Sequence, residues 1–358
     1  MNHIDLKDHY NIDDVMALTS AKGGSYFREL KNANILLTGG TGFFGVWLLS
    51  VFKYLNEQSK FQGEIYLITR DEASFFNANP ALKNCDFIRI IQGDIKTVNL
   101  GEIQPDHLIH LASTSASETF NDIAQIEKIN TLYLGTKNIL EQCGAGLKKV
   151  LFSSSGAAYG DTSSTVKISE ETPSTLMSTD EKYALCMGKI VAEFQIDFYS
   201  KRFGYDYSIA RCFSFAGEFM PLSMHYAFGN FIGDALKRQD IVISGSGTAL
   251  RSYMYIGDAI LWFVALLTDP KNEIFNVGSD CEVSIRELAN LIGAKSGCSV
   301  SLKRTKNNEG NFVRSAYVPC LKKIKKSYPD LKCWTGLSQI VDRMLMYQID
   351  DNIRTIGE

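Results

Sequence analysis

The sequence predicts an α/β fold: a parallel, doubly wound sheet with a smaller C-terminal α/β lobe. Short apolar runs alternate with longer segments of helical period through the first two thirds of the chain. Glycines stand at positions 39, 42 and 45, directly after the first apolar run and at the start of a helix-like segment. Strands that alternate with helices form βαβ units, which favours a parallel sheet covered by helices.

The first domain is predicted over residues 32–215. We expect its strands at the apolar runs 35–38, 64–69, 87–91, 107–111, 149–153 and 206–210, with helices between them, such as 122–143 and 181–202. Residues 1–31 are mixed and polar. We expect them to pack on the outside of this domain as a lead-in, with a helix around residues 13–19.

A second region is predicted over residues 216–350, where the strand–helix rhythm loosens. A stretch containing Gly, Pro and Met leads into further helices near residues 256–268, 284–296 and 337–350. We expect a smaller, substrate-binding α/β lobe that is interleaved with the first domain and closes over the C-terminal edge of the sheet.

The composition is ordinary for a globular enzyme, with 358 residues, 45% hydrophobic and 22% charged. The net charge of −3 gives no reason to expect nucleic acid or an anionic membrane as a partner. The N-terminus lacks the regions of a signal peptide, and no apolar run reaches about 18 residues. The eight cysteines include no C-x-x-C pair, and the five histidines form no ligand spacing. We therefore expect a cytoplasmic protein with free thiols and no metal site.

The segment N-I-L-L-T-G-G-T-G-F-F-G at residues 34–45 predicts a Rossmann-type dinucleotide site. Glycine permits the tight turn, lets backbone N–H groups approach a pyrophosphate and lets the helix pack closely on the strand. The motif is informative only between a strand and a helix, and it stands in that context here. We expect cofactor contacts at Gly39, Gly42, Phe43, Phe44 and Gly45.

The end of the second strand bears on the choice of cofactor. A carboxylate there would bind the ribose 2′-hydroxyl of NAD, but the chain has Thr69, Arg70 and Asp71. A hydroxyl and a guanidinium can hold the 2′-phosphate of NADP, so NADP is favoured. If Arg70 instead stacks on adenine, NAD remains possible. After the third strand, Asp94 either accepts a hydrogen bond from the adenine amino group or is a turn residue.

Three serines end the fifth apolar run, in F-S-S-S-G-A-A-Y-G at residues 152–160. Ser155 is the hydroxyl that we expect to hydrogen-bond a sugar hydroxyl undergoing oxidation. Serines at a strand end are also common as helix caps or turn residues, which is the alternative role here.

Together these motifs resemble the extended short-chain dehydrogenase/reductase family, and within it the NAD(P)-dependent nucleotide-sugar epimerases, dehydratases and decarboxylases. The likeness runs from about residue 32 to 350 and includes T-G-G-T-G-F-F-G, G-D-I, L-A-S, A-R-C-F-S-F-A-G, G-N-F-I, G-S-G-T-A-L-R-S-Y-M-Y-I-G-D and F-N-V-G. The resemblance implies an enzyme that transiently oxidises a nucleotide sugar, UDP-sugars being favoured. It also suggests a homodimer formed through two helices of the first domain.

The resemblance also assigns individual residues. It implies cofactor contacts at Ile95, Leu111, Ala112, Ser113 and Asn130. It implies substrate contacts at Thr114, Ser214, Asn230, Arg251 and Arg314. Among these, Arg251 would bind the nucleotide diphosphate, because a planar guanidinium pairs well with phosphate. Arg211 and Asp258 would be structural.

The family's catalytic helix carries Y-x-x-x-K, but this chain has Tyr183, Met187 and Lys189. At about 100° per residue, Met187 lies on the face of Tyr183 and Lys189 about 120° away, so one regular helix cannot hold Tyr183 and Lys189 in the usual positions. Counting back from Lys189 puts Leu185 at the tyrosine position. Counting from Tyr183 puts Met187 at the lysine position. A bulge, or a loop before the helix, would reconcile the two.

The Y-x-x-x-M alignment resembles the tunicamycin-pathway UDP-N-acetylglucosamine 5,6-dehydratase, which departs from the family in a similar way. A degenerate or inactive relative is the alternative interpretation. A second departure lies at Gly156 and Ala157, where dTDP-glucose 4,6-dehydratases carry an Asp-Glu pair. If this chain performs an elimination, its acid and base must come from elsewhere. Cys186 and Glu193 are the available residues, although both suit structural roles.

The sequence thus predicts a nucleotide-sugar dehydratase of the 5,6 or 4,6 type, with a nucleotide-sugar 4-epimerase as the alternative. Ser155 would position the hydroxyl, Tyr183 would be the base, and Lys189 or Met187 would shape the nicotinamide end of the cofactor site. A non-catalytic, NADP-sensing binding protein is the alternative from another class. A role in polysaccharide precursor synthesis follows from the resemblance only.

Overall fold

The computed structural model describes residues 16–19, 24–113, 125–161, 167–222, 226–303 and 315–355, with side chains up to residue 346. The strands are β1 Ile35–Thr38, β2 Ile65–Thr69, β3 Ile88–Gln92, β4 His107–His110, β5 Lys149–Ser155, β6 Asp206–Cys212, β7 Phe215–Ala216, β8 Ile241–Ser244, β9 Leu250–Ser252, β10 Met254–Tyr255, β11 Glu273–Val277, β12 Glu282–Ser284, β13 Val300–Lys303 and β14 Ala316–Tyr317. The helices are α1 Gly24–Glu29, α2 Phe43–Glu57, α3 Glu72–Ala78, α4 Gln125–Cys143, α5 Ala184–Phe203, α6 Ala227–Leu236, α7 Ile256–Thr268, α8 Ile285–Ser296, α9 Lys322–Ser327 and α10 Leu337–Thr355.

The main sheet has seven strands in the order β11-β6-β5-β4-β1-β2-β3. Its pairs from β6 to β3 are parallel. The chain winds outward from β1 to β3, then returns to place β4 on the other side of β1. This reversal of strand order between β1 and β4 is where an open α/β sheet binds ligands, beyond the C-terminal ends of its strands. The predicted doubly wound parallel sheet is confirmed.

Both strands at this switch point are buried along their whole length, as expected for strands covered on both faces. The six predicted strands are present, displaced by two residues at most. The seventh strand, β11, was not predicted, because the polar Asn276 interrupts a run of only five residues. The helix predicted from residue 181 begins at Ala184 instead, preceded by a 3-10 turn at Glu181–Tyr183.

The chain divides into two compact units, each assembled from three segments. Unit 1 contains Met1–Gly160, Leu176–Cys212 and Ile260–Phe275, and unit 2 contains Asp161–Thr175, Phe213–Ala259 and Asn276–Glu358. The predicted boundary at 215/216 lies close to the change of unit after Cys212. The predicted closure of the second lobe over the sheet stays a prediction.

Unit 2 carries smaller sheets. Strand β9 lies between β12 and β14, so that Arg251 is opposite Val283 on one side and Tyr317 on the other. Strands β8 and β13 form a parallel pair. Helix α8 begins with a capping box in which the Ser284 and Glu287 side chains bond each other's backbone N–H groups.

Within the described part of the chain, no helix combines the length and the apolar character needed to cross a membrane.

Candidate functional site

A tight glycine turn follows β1. Gly39 has φ of +67°, a conformation that favours glycine. A Cβ at this position would lie 2.6 Å from the backbone nitrogen of Ala112, in the loop after β4. Leu111 donates its N–H to the Thr38 carbonyl at 3.0 Å, and Ala112 donates to Thr38 Oγ1 at 3.2 Å. The structure therefore brings Gly39, Leu111 and Ala112, three of the predicted cofactor residues, together at the switch point.

Helix α2 starts directly on this turn. A Cβ at Gly45 would lie 2.2 Å from Gly40 Cα, so only glycine lets the first turn of α2 pack this closely. Gly42 is the N-cap and provides no side-chain hydrogen bond. Helix α2 is 15 residues long, and its first-turn N–H groups, beginning with Phe43 and Phe44, have no intrahelical acceptor. Such a helix N-terminus suits an anionic pyrophosphate.

The residues after β2 are largely occupied with local contacts. The Thr69 hydroxyl donates to the Asp71 carbonyl and accepts the Asp71 N–H, both at 3.3 Å. Asp71 caps α3, and its carboxylate accepts from the Ser74 N–H and hydroxyl at 2.9 and 2.7 Å. These bonds lower the pKa of the Asp71 carboxyl. Arg70 is exposed between them.

Asp94 follows β3 and makes local contacts within the turn. Its Oδ1 accepts the Lys96 N–H at 2.9 Å, and its Oδ2 lies 3.7 Å from the Lys96 ammonium. Ile95 packs against α4 at Gly135, where a Cβ would be 2.4 Å from Ile95 Cδ1. On the same helix, Asn130 donates to Glu127 at 2.9 Å.

Ser155 is the last residue of β5. Its hydroxyl accepts the Ala157 N–H at 3.1 Å and begins the 3-10 turn Gly156–Tyr159. Ser155 is partly exposed, whereas its neighbours Ser153 and Ser154 are buried. The hydroxyl that the sequence singled out is therefore the accessible one of the three.

Tyr183 precedes α5 rather than lying within it. Asp180 caps the turn by accepting the Lys182 N–H at 3.1 Å, and Tyr183 closes the turn as the N-cap residue of α5. The Tyr183 ring is buried, with the Lys182 ammonium 4.8 Å from its centroid. Tyr183 therefore stands at the junction between the 3-10 turn and α5, six residues before Lys189.

Lys189 lies inside the protein. Its ammonium donates to the Ser153 carbonyl at 2.6 Å and lies 4.9 Å from the centroid of the Phe152 ring. Burial lowers the pKa of Lys189 from 10.5 to about 8. The adjacent Gly188 lets α5 approach α4, where a Cβ would be 2.7 Å from a Leu132 methyl group. Met187 is partly exposed.

The residues predicted as substitutes for the missing acid–base pair are both engaged. The Cys186 thiol donates to the Ala157 carbonyl, and burial raises its pKa to about 11. Glu193 accepts two hydrogen bonds from the Arg211 guanidinium, at 2.9 and 2.7 Å, and a third from Ser154. The thiol is therefore neutral near pH 7, and the carboxylate is held in an ion pair.

The predicted substrate residues lie in unit 2. Arg251 donates to the Leu250 carbonyl at 2.7 Å, with Ser315 at 3.4 Å. Asn230 is exposed on α6. The Ser214 carbonyl accepts the Met254 N–H at 3.0 Å. Asp258 is buried and accepts the Thr335 N–H at 2.9 Å, in keeping with a structural role.

Three predicted positions are at or beyond the edges of what the structure describes. Ser113 is the last described residue before the gap at 114–124. Thr114 and Arg314 lie outside the described residues.

A family model described as the NAD dependent epimerase/dehydratase family matches residues 35–278. The chain belongs to this family. The UDP-N-acetyl-alpha-D-glucosaminuronate decarboxylase of Bacillus cytotoxicus is 30% identical over 265 residues, covering 71% of this chain and 77% of that protein.

Solved structures resemble this family member along most of its length. An epimerase of Methanothermobacter thermautotrophicus has a TM-score of 0.75 at 19% identity, covering 93% of this chain and 96% of that one. The UDP-N-acetylglucosamine 4-epimerase of Methanobrevibacter ruminantium has a TM-score of 0.74 at 20% identity, covering 90% and 99%. At these identities the likeness supports the fold.

The glycine turn of this epimerase/dehydratase fits the family's NAD. Side chains at residues 39 and 45 would collide with backbone, and the helix N-terminus behind them is uncapped by a side chain. Among the described residues, no group of His, Cys, Asp and Glu is arranged to hold a metal ion.

Sequence reasoning missed the polar residues beneath this turn. His110 is fully buried and contacts the hydroxyls of Thr38 and Thr136. The one available signal was a histidine at the end of the apolar strand H-L-I-H, a position usually filled by an aliphatic residue in such sheets.

Proposed function

We propose that this protein is a nucleotide-sugar 4-epimerase that works through transient oxidation of the sugar. The main support is that the two acid–base candidates that the sequence offered are engaged: the Cys186 thiol donates to the Ala157 carbonyl, and Glu193 is paired with Arg211. A 4-epimerase needs one proton-transfer group at the hydroxyl being oxidised and no second pair for the middle step. When bound, NAD(P) takes a hydride from the sugar and gives it back.

Three residues of unit 1 are assigned roles. The Ser155 hydroxyl hydrogen-bonds the sugar hydroxyl and orients it. The Tyr183 phenolate oxygen accepts the proton of that hydroxyl and returns it to the same sugar oxygen once the keto sugar has turned its opposite face toward the cofactor. The Lys189 ammonium uses its remaining N–H groups to hold the cofactor's ribose, since it has one hydrogen bond in the described structure, to Ser153. In this scheme Lys189, and not Met187, is the counterpart of the family lysine.

Elimination and decarboxylation fit the site less well. In a 4,6-dehydratase, a carboxylic acid protonates the departing oxygen and a carboxylate removes a carbon-bound proton. Gly156 and Ala157 supply neither group, Glu193 is paired with Arg211, and the Cys186 thiol is neutral near pH 7. The dehydratase of the 5,6 type is the second candidate, because Met187 follows Tyr183 by four residues, a spacing that resembles the tunicamycin-pathway enzyme.

The substrate assignment rests on unit 2. We assign Arg251 to the diphosphate, with Ser214 and Asn230 as further substrate contacts and a UDP-sugar as substrate. Arg251 is partly exposed on β9, and its guanidinium is oriented by backbone carbonyls, which leaves charge available for an anion. The role in polysaccharide precursor synthesis belongs to this proposal.

The deciding experiment is mass spectrometry of reactions with UDP-, dTDP-, GDP- and CDP-sugars in D2O. A 4-epimerase gives a product of unchanged mass, new retention time and no deuterium. A product lighter by one water would support the dehydratase and overturn the epimerase, and carbon-bound deuterium in that product would mark the 4,6 type. Loss of CO2 from a uronate would identify a decarboxylase. Cofactor binding without turnover of any sugar would support the sensor protein.

We further propose NADP as the preferred cofactor, with NAD as the alternative. The exposed Arg70 follows β2, and the Asp71 carboxylate is committed to capping α3. Quenching of Trp fluorescence by NADPH and NADH compares the two cofactors. We expect NADPH to bind about tenfold more tightly, and Arg70→Gln to remove the difference. Tighter binding of NADH by the wild type would contradict this preference.

We also propose that the protein is a homodimer that pairs through α4 and α5. These two helices expose five large apolar side chains at 41–65%: Ile126, Tyr133, Leu134, Phe194 and Phe198. Light scattering of Phe194→Asp/Phe198→Asp should show a monomer where the wild type is a dimer. Met346→Asp, which changes an exposed residue of α10, is the matched control. A monomeric wild type would refute the dimer.

A further inference from the structure

A chain of buried hydrogen bonds runs beneath the glycine turn. Thr38 Oγ1 lies 2.6 Å from His110 Nδ1, and His110 Nε2 lies 2.9 Å from Thr136 Oγ1. Thr38, His110 and Thr136 are each 0% exposed. The bonds thereby connect β1, β4 and α4.

We assign the direction of these bonds from the Ala112 N–H, which Thr38 Oγ1 accepts. Thr38 Oγ1 accepts the Ala112 N–H, so its own proton is available for His110 Nδ1. The proton of the neutral ring is then on Nε2, which donates to Thr136. Burial lowers the pKa of His110 to about 3, which keeps the ring neutral. With this assignment each of the four side-chain atoms in the chain has a hydrogen-bond partner.

These hydrogen bonds bear on the distance between the glycine turn and the loop after β4. Thr38 accepts two successive N–H groups of the loop after β4: that of Leu111 on its carbonyl and that of Ala112 on its hydroxyl. The Ala112 nitrogen is also the atom that excludes a Cβ from Gly39. If Thr38 loses its acceptor on His110, its hydroxyl can turn away from Ala112, and the loop is no longer held against Gly39.

His110 also contacts the part of the site that contains Phe152 and Lys189. Its ring stacks on Phe152 with centroids 5.4 Å apart and planes 28° apart. The Phe152 ring lies 4.9 Å from the Lys189 ammonium. Contacts therefore run from the glycine turn through His110 and Phe152 to Lys189, across the neighbouring strands β1, β4 and β5.

We infer that His110 is a positioning residue for the dinucleotide. It holds the loop after β4 against the glycine turn and supports the wall on which Lys189 rests, without touching the cofactor itself. This inference rests on the proposed cofactor site in unit 1.

The test compares three substitutions of His110. His110→Phe keeps a flat ring against Phe152 and removes both hydrogen bonds. His110→Asn places an acceptor near the position of Nδ1 and can still serve Thr38. His110→Gln reaches toward Thr136 and leaves Thr38 without its acceptor. The readouts are the dissociation constants of NAD(P)H and of UDP and the melting temperature of the apo protein.

We expect His110→Phe to weaken NAD(P)H binding about tenfold or more and to leave UDP binding unchanged. His110→Asn should recover most of the cofactor affinity, and His110→Gln should recover less. A general core defect would not follow this order, because both amides cost similar stability. Thr136→Val removes only the distal bond and is the control, with an effect of less than about threefold.

Two results would overturn the inference. One is His110→Phe binding NAD(P)H as tightly as the wild type. The second is equal cofactor affinity of the His110→Asn and His110→Gln variants. This comparison remains informative if His110→Phe does not fold. A wild type that binds no dinucleotide is a separate outcome and would refute the proposed function instead.

Discussion

Lys189 is a single buried charge, and its surroundings support the binding role that we propose for it. An ammonium inside a protein costs free energy unless it is paired with an acid, and Lys189 contacts a carbonyl and an aromatic ring. The nearest carboxylate on its helix, Glu193, is paired with Arg211. A cofactor ribose would provide the acceptors that Lys189 otherwise lacks in the described structure.

Lys189→Met should therefore stabilise the apo protein while it weakens cofactor binding. The unfolded chain has a lysine pKa of 10.5 and the folded protein about 8. Protonation of this lysine is therefore less favourable in the folded state. Its contribution lowers the free energy of unfolding by on the order of 3 kcal/mol as the pH falls from 10.5 to 8, and this loss persists below pH 8. We expect the variant to melt a few degrees higher at pH 7, with a gain that shrinks toward pH 10.5. Lys201→Met, an exposed change on α5, is the control. A lower melting temperature for Lys189→Met at pH 7 would contradict this account.

Glu193 belongs to the structure rather than to the chemistry. Its carboxylate holds the Arg211 guanidinium, which also lies 4.5 Å from the centroid of the Tyr159 ring. Glu193→Gln should cost roughly 3 kcal/mol in urea unfolding, because it leaves a buried guanidinium unpaired. Glu141→Gln breaks an exposed pair with Lys137 and should cost less than about 0.5 kcal/mol. Equal effects of the two changes would refute the assignment.

At the scale of elements, α2 illustrates how glycine spacing builds a binding surface. The helix can begin on the strand turn because Gly45 contacts Gly40 without a side chain. The N-cap Gly42 has a different environment, since a Cβ there would meet only the Gly39 carbonyl, at 3.4 Å. The glycines of the motif therefore have different roles: Gly45 allows close packing, and Gly42 leaves the helix N-terminus accessible.

This difference predicts distinct results for two alanine substitutions. Gly45→Ala should unfold at clearly lower urea concentration and lose NAD(P)H binding, because its Cβ would lie 2.2 Å from Gly40 Cα. Gly42→Ala should keep the stability of the wild type and lose cofactor affinity. Urea unfolding and fluorescence titration measure the two effects. A Gly45→Ala protein as stable as Gly42→Ala would contradict the packing seen here.

At the scale of the whole molecule, two buried histidines of β4 couple folding to pH. Burial lowers the pKa of His107 to about 4 and that of His110 to about 3, against 6.5 in an unfolded chain. The unfolded state therefore binds protons that the folded state excludes. Stability is full above about pH 6.5 and is lost as the pH falls toward 4.

His107→Gln should make the stability of the protein less dependent on pH between pH 7 and pH 4. His107 lies at the start of β4, and its Nδ1 is buried with no hydrogen-bond partner in the described structure, so the substitution spares the proposed site. On acidification from pH 7 to pH 4, the melting temperature should fall less in the variant than in the wild type. The two proteins should differ by several degrees at pH 4. Equal slopes would show that His107 does not contribute to the acid sensitivity.

Much of the fold was predictable because its signals are local. The six apolar runs needed only to be counted, and Gly39 needed only its place between a strand and a helix. Strand β11 was missed because Asn276, whose side chain bonds the carbonyls of Ile168 and Cys320, interrupts its apolar pattern. Of the predicted site residues, Leu111 and Ala112 lie at the switch point and Ser155 ends β5, next to β4, but His110 was not among the predicted residues.

The sequence by itself determined the doubly wound sheet, the dinucleotide turn and the family, because apolar periodicity and the absence of a Cβ act within a few residues. Only the tertiary structure decided that Tyr183 stands before α5 and that Lys189 faces the end of β5. It also decided that Glu193 and Cys186 are engaged and that His110 joins two threonines from distant segments. Those outcomes depend on contacts between residues far apart in the chain, which no local pattern encodes.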